Sequence, residues 1–206
     1  MRPPHPRLVG VILAALLAVS GGACEYVGAP GAPRVGVAGE STVRQTEAAL
    51  RARLAPDHRV AVHAFNNAHF DQLRFPVSEM RRTRARSIVI AAGAPDVVTA
   101  THPTDGLVPL QWIRDVVAAA GDVPCVALVT VKEEGVAPIA TTRWRQGARR
   151  INAELRRQAD ARDNVVLVDW SAKARRHPEW FLGDGLHLNA AGIAGFARVL
   201  DHAADC

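Results

Sequence analysis

The sequence predicts an α/β fold, a three-layer α/β/α sandwich around a five-stranded parallel sheet. Three observations carry this. Five short, near-continuous apolar runs recur along the chain, at 34–39, 59–65, 87–92, 123–131 and 164–169. Stretches of helical spacing separate them. The 206 residues are 49% hydrophobic and 22% charged, enough to bury a full core in one domain. Strands apolar on both faces belong in a parallel sheet with helices on either side. Right-handed crossovers then set the layers.

The elements follow in order. Arg2 and Arg7 precede an apolar run over 8–19, and Ser20-Gly-Gly-Ala-Cys24 closes it with small residues. This is the order of an export signal, and the run is short for a membrane span of roughly 20 residues. The division is a signal peptide over 1–23, a Gly/Pro/Ala linker over 24–33 and a folded domain over 34–206. Cys24 resembles a lipoprotein cleavage cysteine, with Gly21 where leucine is usual. Lipidation at Cys24 and plain secretion are both open.

Within the domain, 34–39 is a strand and 42–54 a helix through Val43, Leu50 and Leu54. The alternation Val60, Val62, Ala64 makes 59–65 a strand. Residues 71–86 are partly helical, and Pro76 should delay the helix until about Val77. Residues 87–92 form a wholly apolar strand, 110–120 a helix and 123–131 a fourth strand. A long amphipathic helix over 143–162 carries Trp144, Ile151 and Leu155 on one side. The fifth strand is 164–169. A short helix from Ser171 leads to a loop, then to a last helix opened by Asn189, with Ile193, Phe196, Val199 and Leu200 on its apolar face.

The net charge of +5 is carried almost wholly by arginine, since Lys132 and Lys173 are the only lysines. It reads as a solvated basic surface, suited to anionic polymers or lipid head groups. No motif directs it to nucleic acid. No Cys/His cluster has metal-ligand spacing, so no metal is expected. Cys125 sits at the start of the fourth strand and Cys206 is the last residue. Both fall at the same end of the sheet, and export would permit a disulfide between them. Two separate thiols are the alternative.

Ligands of such sheets bind beyond the carboxyl ends of the strands. Two loops there carry chemistry. In Gly39-Glu40-Ser41-Thr42, Ser41 stands where a strand meets a helix N-terminus. Its hydroxyl could be a nucleophile and its N–H an oxyanion donor, or it is an ordinary helix cap. The five-residue Gly-x-Ser-x-Gly elbow is absent, because Val43 takes its last position. In the last loop Asp184 and His187 lie three residues apart, with Gly183 and Gly185 at the turn. The carboxylate could orient the imidazole as a base, or merely cap a turn.

These residues resemble the SGNH, or GDSL-like, hydrolase family, over the whole of 34–206. Gly39-Glu40-Ser41 looks like its Gly-Asp-Ser block with Glu for Asp, and Asp184-Gly-Leu-His187-Leu like its Asp-x-x-His block. Asp169-Trp170 and Trp180-Phe181 look like a bacterial cell-envelope subgroup, some of whose members are O-acetyltransferases or O-acetylesterases on wall polysaccharide. The resemblance implies a flavodoxin-like sheet and a triad of Ser41 as nucleophile, His187 as base and Asp184 as its orienter. It implies no cofactor.

Two blocks depart from the family. Gly93-Ala94-Pro95-Asp96 has proline where the family places an oxyanion asparagine. Proline offers neither an N–H nor a side-chain donor. Phe65-Asn66-Asn67-Ala68-His69 lacks the glycine of the second block. Asn66 or Asn67 could join the Ser41 N–H in an oxyanion hole, or simply shape a turn. Two function classes follow. One is an exported serine esterase or O-acyl transferase on acylated polysaccharide or a small acyl ester. The other is a degenerate cell-envelope binding or scaffold domain. Either is expected to be a monomer, held to a membrane only by an N-terminal lipid and without a nucleic-acid partner. Asp169 reads as a cap for the next helix, the tryptophans as packing, His63, His69 and His102 as scattered, and Lys132-Glu133-Glu134-Gly135 as a solvated turn.

Overall fold

A computed structural model describes residues 25–100, 107–134 and 141–206. Cys24, the stretch read as an export signal, His102 and Gly135 lie outside the described residues. Five strands pair in parallel in the order β3-β2-β4-β5-β6: β2 (Arg34–Gly39), β3 (Arg59–Ala64), β4 (Ser87–Ala91), β5 (Cys125–Val129) and β6 (Val165–Val168). A sixth strand, β1 (Val27–Gly28), corrects the expected count of five. It lies antiparallel on the outer side of β3, pairing Val27 with Val60 and Gly28 with Arg59. Part of the segment read as linker is therefore docked. Arg59 donates to the Tyr26 carbonyl (3.4 Å), and the Thr83 hydroxyl donates to Tyr26 Oη (3.2 Å). The added strand covers polar backbone that an edge strand would leave open.

Helices cover both faces. Val35 and Val37 of β2 point toward α1 (Ser41–Leu54) and α7 (Ala190–Ala204), while Ala38 points to the opposite core. That second core holds α2 (Phe70–Arg82), α4 (Val108–Ala120) and α5 (Thr142–Asp160). A short α3 (Asp96–Thr99) precedes α4, and α6 (Trp170–Arg176) follows β6. Asp169 caps α6 by accepting from the Ala172 N–H (2.9 Å).

Helix α2 starts at Phe70 rather than near Val77, and Pro76 sits inside it. One lost backbone bond and the ring clash cost about 3 kcal/mol. Phe70, Leu73, Val77 and Met80 are wholly buried along one face and contribute more, at roughly 1.5–3 kcal/mol each. The first turn is also held from outside: the Phe70 N–H donates to Asp96 (3.3 Å), and the His69 N–H donates to Gln72 Oε1 (2.9 Å).

Two long-range ties brace the frame. Cys125, at the start of β5, is bonded to Cys206 beyond α7, with Cα atoms 5.7 Å apart and a sequence separation of 81. A loop of that length predicts that Cys206→Ser lowers unfolding free energy by about 2–4 kcal/mol, read from urea melts. Inside α5, Glu154 is buried and accepts from Arg114 (2.9 Å), Arg157 and Gln158 (2.7 Å). Burial alone would raise its carboxyl, but these donors outweigh it and hold it down at about 2. Because the folded value lies below the unfolded one, the stabilisation is complete above roughly pH 4.5 and is lost as pH falls toward 2. Glu154→Gln should cost roughly 2 kcal/mol at pH 7 and nothing near pH 2, measured by melts across that range.

Candidate active site

Strand register sets the first part of the site. Gly39 lies level with Ala64 of β3 and Ala91 of β4, so three strands end together. A Cβ at Gly39 would sit 2.3 Å from the Val43 side chain and 2.6 Å from the Ala91 carbonyl, so only glycine lets the chain turn here. The Glu40 N–H then donates to the Ala91 carbonyl (3.3 Å), and Ser41 opens α1. β3 and β4 leave β2 on opposite sides, so Ser41 stands at the point where strand order reverses.

The second part is a tight loop after a 3₁₀ turn, Pro178–Trp180. Phe181 and Leu188 bridge across its base. The Leu182 N–H donates to the His187 carbonyl (2.8 Å), and the Gly185 N–H donates to the Leu182 carbonyl (2.9 Å). Gly185 has φ +71°, which favours glycine. Asn189 ties the exit on both sides, donating to the Glu179 carbonyl (2.7 Å) and accepting from the Gly192 N–H (3.1 Å). The Leu188 N–H donates to Gln45 Oε1 of α1 (3.2 Å), joining the two parts.

These supports bring three predicted side chains into line. His187 Nε2 is 3.2 Å from Ser41 Oγ, and His187 Nδ1 is 2.6 Å from Asp184 Oδ2. The other carboxylate oxygen of Asp184 accepts from the N–H groups of Leu186 (2.9 Å) and His187 (3.0 Å). Burial works to raise the Asp184 carboxyl. The imidazole and the two N–H groups outweigh it, so Asp184 lies below its usual range and is ionised at neutral pH. With the carboxylate on Nδ1, the proton belongs there and Nε2 is left as an acceptor facing Ser41.

Glu40 adds a feature that the Glu-for-Asp difference in sequence did not convey. Its carboxylate is buried and accepts from Ser41 Oγ (3.2 Å) and Thr42 Oγ1 (2.8 Å). Burial pushes its carboxyl up, and the Thr42 and Ser41 hydroxyls, the His187 charge and the Ser41 N–H pull it back only in part. The Ser41 hydroxyl thus has two acceptors at equal distance, Glu40 and His187.

Asn66 and Asn67 share an open pocket with Ser41, Gln45 and His187. Asn67 holds φ +61°, a strained conformation for which asparagine is among the better-suited residues. Pro95 does not line that pocket. Its neighbour Asp96 is fully buried and accepts from His69 Nδ1 (2.8 Å) and the Phe70 N–H. His69 is therefore not a scattered histidine. It joins the loop after β3 to the loop after β4 and stands edge-on to Trp112, with ring centres 5.9 Å apart. Burial, offset in part by His69, raises the Asp96 carboxyl to about 6.

The expectation of a solvated turn after β5 fails at Lys132, which is buried. Its ammonium donates to the Gly185 carbonyl (2.7 Å) and lies 3.7 Å from the centre of the Phe181 ring. Lysine is rare in this chain, but Lys173 shares that rarity, so the sequence carried no signal of this. Among the described residues no group of three or more His, Cys, Asp or Glu could hold a metal ion.

Residues 9–194 match the GDSL-like lipase/acylhydrolase family. The chain belongs to that family. It is 49% identical over 43 residues, 21% of its length, to O-acetyltransferase OatA of Staphylococcus aureus (strain NCTC 8325). The matches span 8% or less of the length of the curated relatives. Among solved structures, the C-terminal catalytic domain of Streptococcus pneumoniae peptidoglycan O-acetyltransferase A superposes with a TM-score of 0.65 at 18% identity, covering 84% of this chain and 92% of that one. The acetylxylan esterase Axe2 of Geobacillus stearothermophilus also gives 0.65, at 14% identity over 86% and 95% of the two chains. At those identities the likeness is one of fold. What the family match adds is the general class, lipase or acylhydrolase.

Proposed function

We propose that this family member is an exported serine esterase or O-acyl transferase that acts on ester groups of cell-envelope polysaccharide. The observation that carries the chemistry is the run from Asp184 Oδ2 through His187 to Ser41 Oγ, at 2.6 and 3.2 Å, on the carboxyl edge of the sheet. Ser41 Oγ attacks the acyl carbonyl while His187 Nε2 takes its proton. The imidazolium, stabilised by Asp184, returns that proton to the departing sugar oxygen, leaving acyl-Ser41. Water then releases the acid, or a sugar hydroxyl takes the acyl group, with His187 again as base. Asn66 and Asn67 are the pocket residues suited to meet the oxyanion.

The polysaccharide substrate is supported by the relatives, named as O-acetyltransferases and an acetylxylan esterase. The export signal and Cys24 support placement at the envelope by secretion or lipid attachment. Residues 25–206 should label with a fluorophosphonate probe and release acetate from acetylated peptidoglycan or xylan. No labelling of the folded, oxidised domain would overturn the reading. Pro95 would then favour a binding or scaffold domain that keeps the triad residues without using them.

A further inference from the structure

We infer that Lys132 is a positioning residue for the Asp184–His187 pair, acting through its bond to the Gly185 carbonyl and its stacking on Phe181. The inference rests on the triad reading above. Three observations converge on it. Lys132 is buried, and burial lowers its ammonium, against the pull of Glu134 and Asp184. Among the described residues no ion pair compensates it. An ammonium buried with no carboxylate in direct contact is costly, so such a residue stands where its contacts matter.

Those contacts are placed to hold one loop. Phe181 forms one side of the bridge that closes the loop, and Gly185 is its turn. Lys132 touches both, at 3.7 and 2.7 Å, so it fixes the base and the tip of the segment that carries Asp184. Its own backbone is fixed in turn. The Lys132 carbonyl accepts from Trp144 Nε1 (3.0 Å), and the preceding Val131 N–H and carbonyl are held by Asn152 of α5 (both 2.8 Å). A rigid chain thus runs from α5 through the end of β5 into the last loop. Arginine is not an equivalent here, because its planar guanidinium spreads the donors that the compact Lys132 ammonium aims at the Gly185 carbonyl.

The test separates positioning from activity. The Nδ1 proton of His187, shared with Asp184, should give a low-field proton NMR signal that disappears in His187→Gln. In Lys132→Met, which keeps the length and apolar stem, that signal should weaken or move upfield. Fluorophosphonate labelling should slow by 10- to 100-fold. Lys132→Gln, which keeps an N–H donor for Gly185, should recover at least a third of the wild-type signal. A folded Lys132→Met with an unchanged signal and unchanged His187 titration would overturn the inference. If Lys132→Met fails to fold, Lys132→Gln decides alone: a wild-type signal shows that a donor suffices, and a lost one overturns the assignment of the Gly185 bond. Wild-type protein that shows the signal but never labels would sink the catalytic reading and leave the positioning measurable.

Discussion

Asp184→Asn is expected to lower ester turnover by about 10⁴-fold with the fold intact. The hydrogen bonds around the carboxylate explain the size. One oxygen already accepts from the N–H groups of Leu186 and His187. In asparagine the carbonyl oxygen must keep that place, since only it can accept from two N–H groups. The amide nitrogen is then turned to His187 Nδ1 and donates to it. The imidazole responds by carrying its proton on Nε2, which faces Ser41 and can no longer take a proton from it. Asp184 is held below the usual carboxylate range, so the wild-type arrangement persists through neutral pH and fails only in acid. The measurement is kcat/KM on a small acetyl ester beside a melting curve. A loss under tenfold in a folded variant would show that Asp184 does not set the tautomer.

The parts of the molecule legible in sequence are those where one residue type does one job. The wholly apolar strand at Ser87–Ala91, the cap at Asn189 and the close spacing of Asp184 and His187 all fall here. Each is a local pattern with a local cause. The missed features depend on partners far away in the chain. Nothing near Pro76 tells that Asp96, 26 residues on from Phe70, holds the first turn of α2. Nothing in Lys132-Glu133-Glu134 tells that the lysine turns inward to a carbonyl 53 residues on while Glu133 accepts from Asn152. β1 was hidden because a two-residue strand between glycines and prolines has no periodicity to read; its pairing comes from the open side of β3. His69 and Asp96 lie in blocks that diverge from the family, so the resemblance pointed to what was lost there and not to the pair that joins them.

That pair bears on the oxyanion, where the second large effect is expected. With Pro95 lacking a donor, the site needs at least one from the loop after β3, and Asn66 and Asn67 are the residues of that loop in the pocket with Ser41. Asn67→Gly keeps the positive φ without strain and removes only the amide. If the side chain meets the oxyanion, turnover should fall by about 10²–10³-fold with KM little changed, since the bond strengthens only as charge develops. Asn66→Ala serves as the matched comparison. A loss at one position and not the other names the donor. Unchanged turnover at both would place the donors on the backbone, where His69 and Asp96 hold the loop. His69→Phe should then lower kcat without abolishing fluorophosphonate labelling, because the nucleophile and its base are untouched while the cradle for the developing charge is loosened.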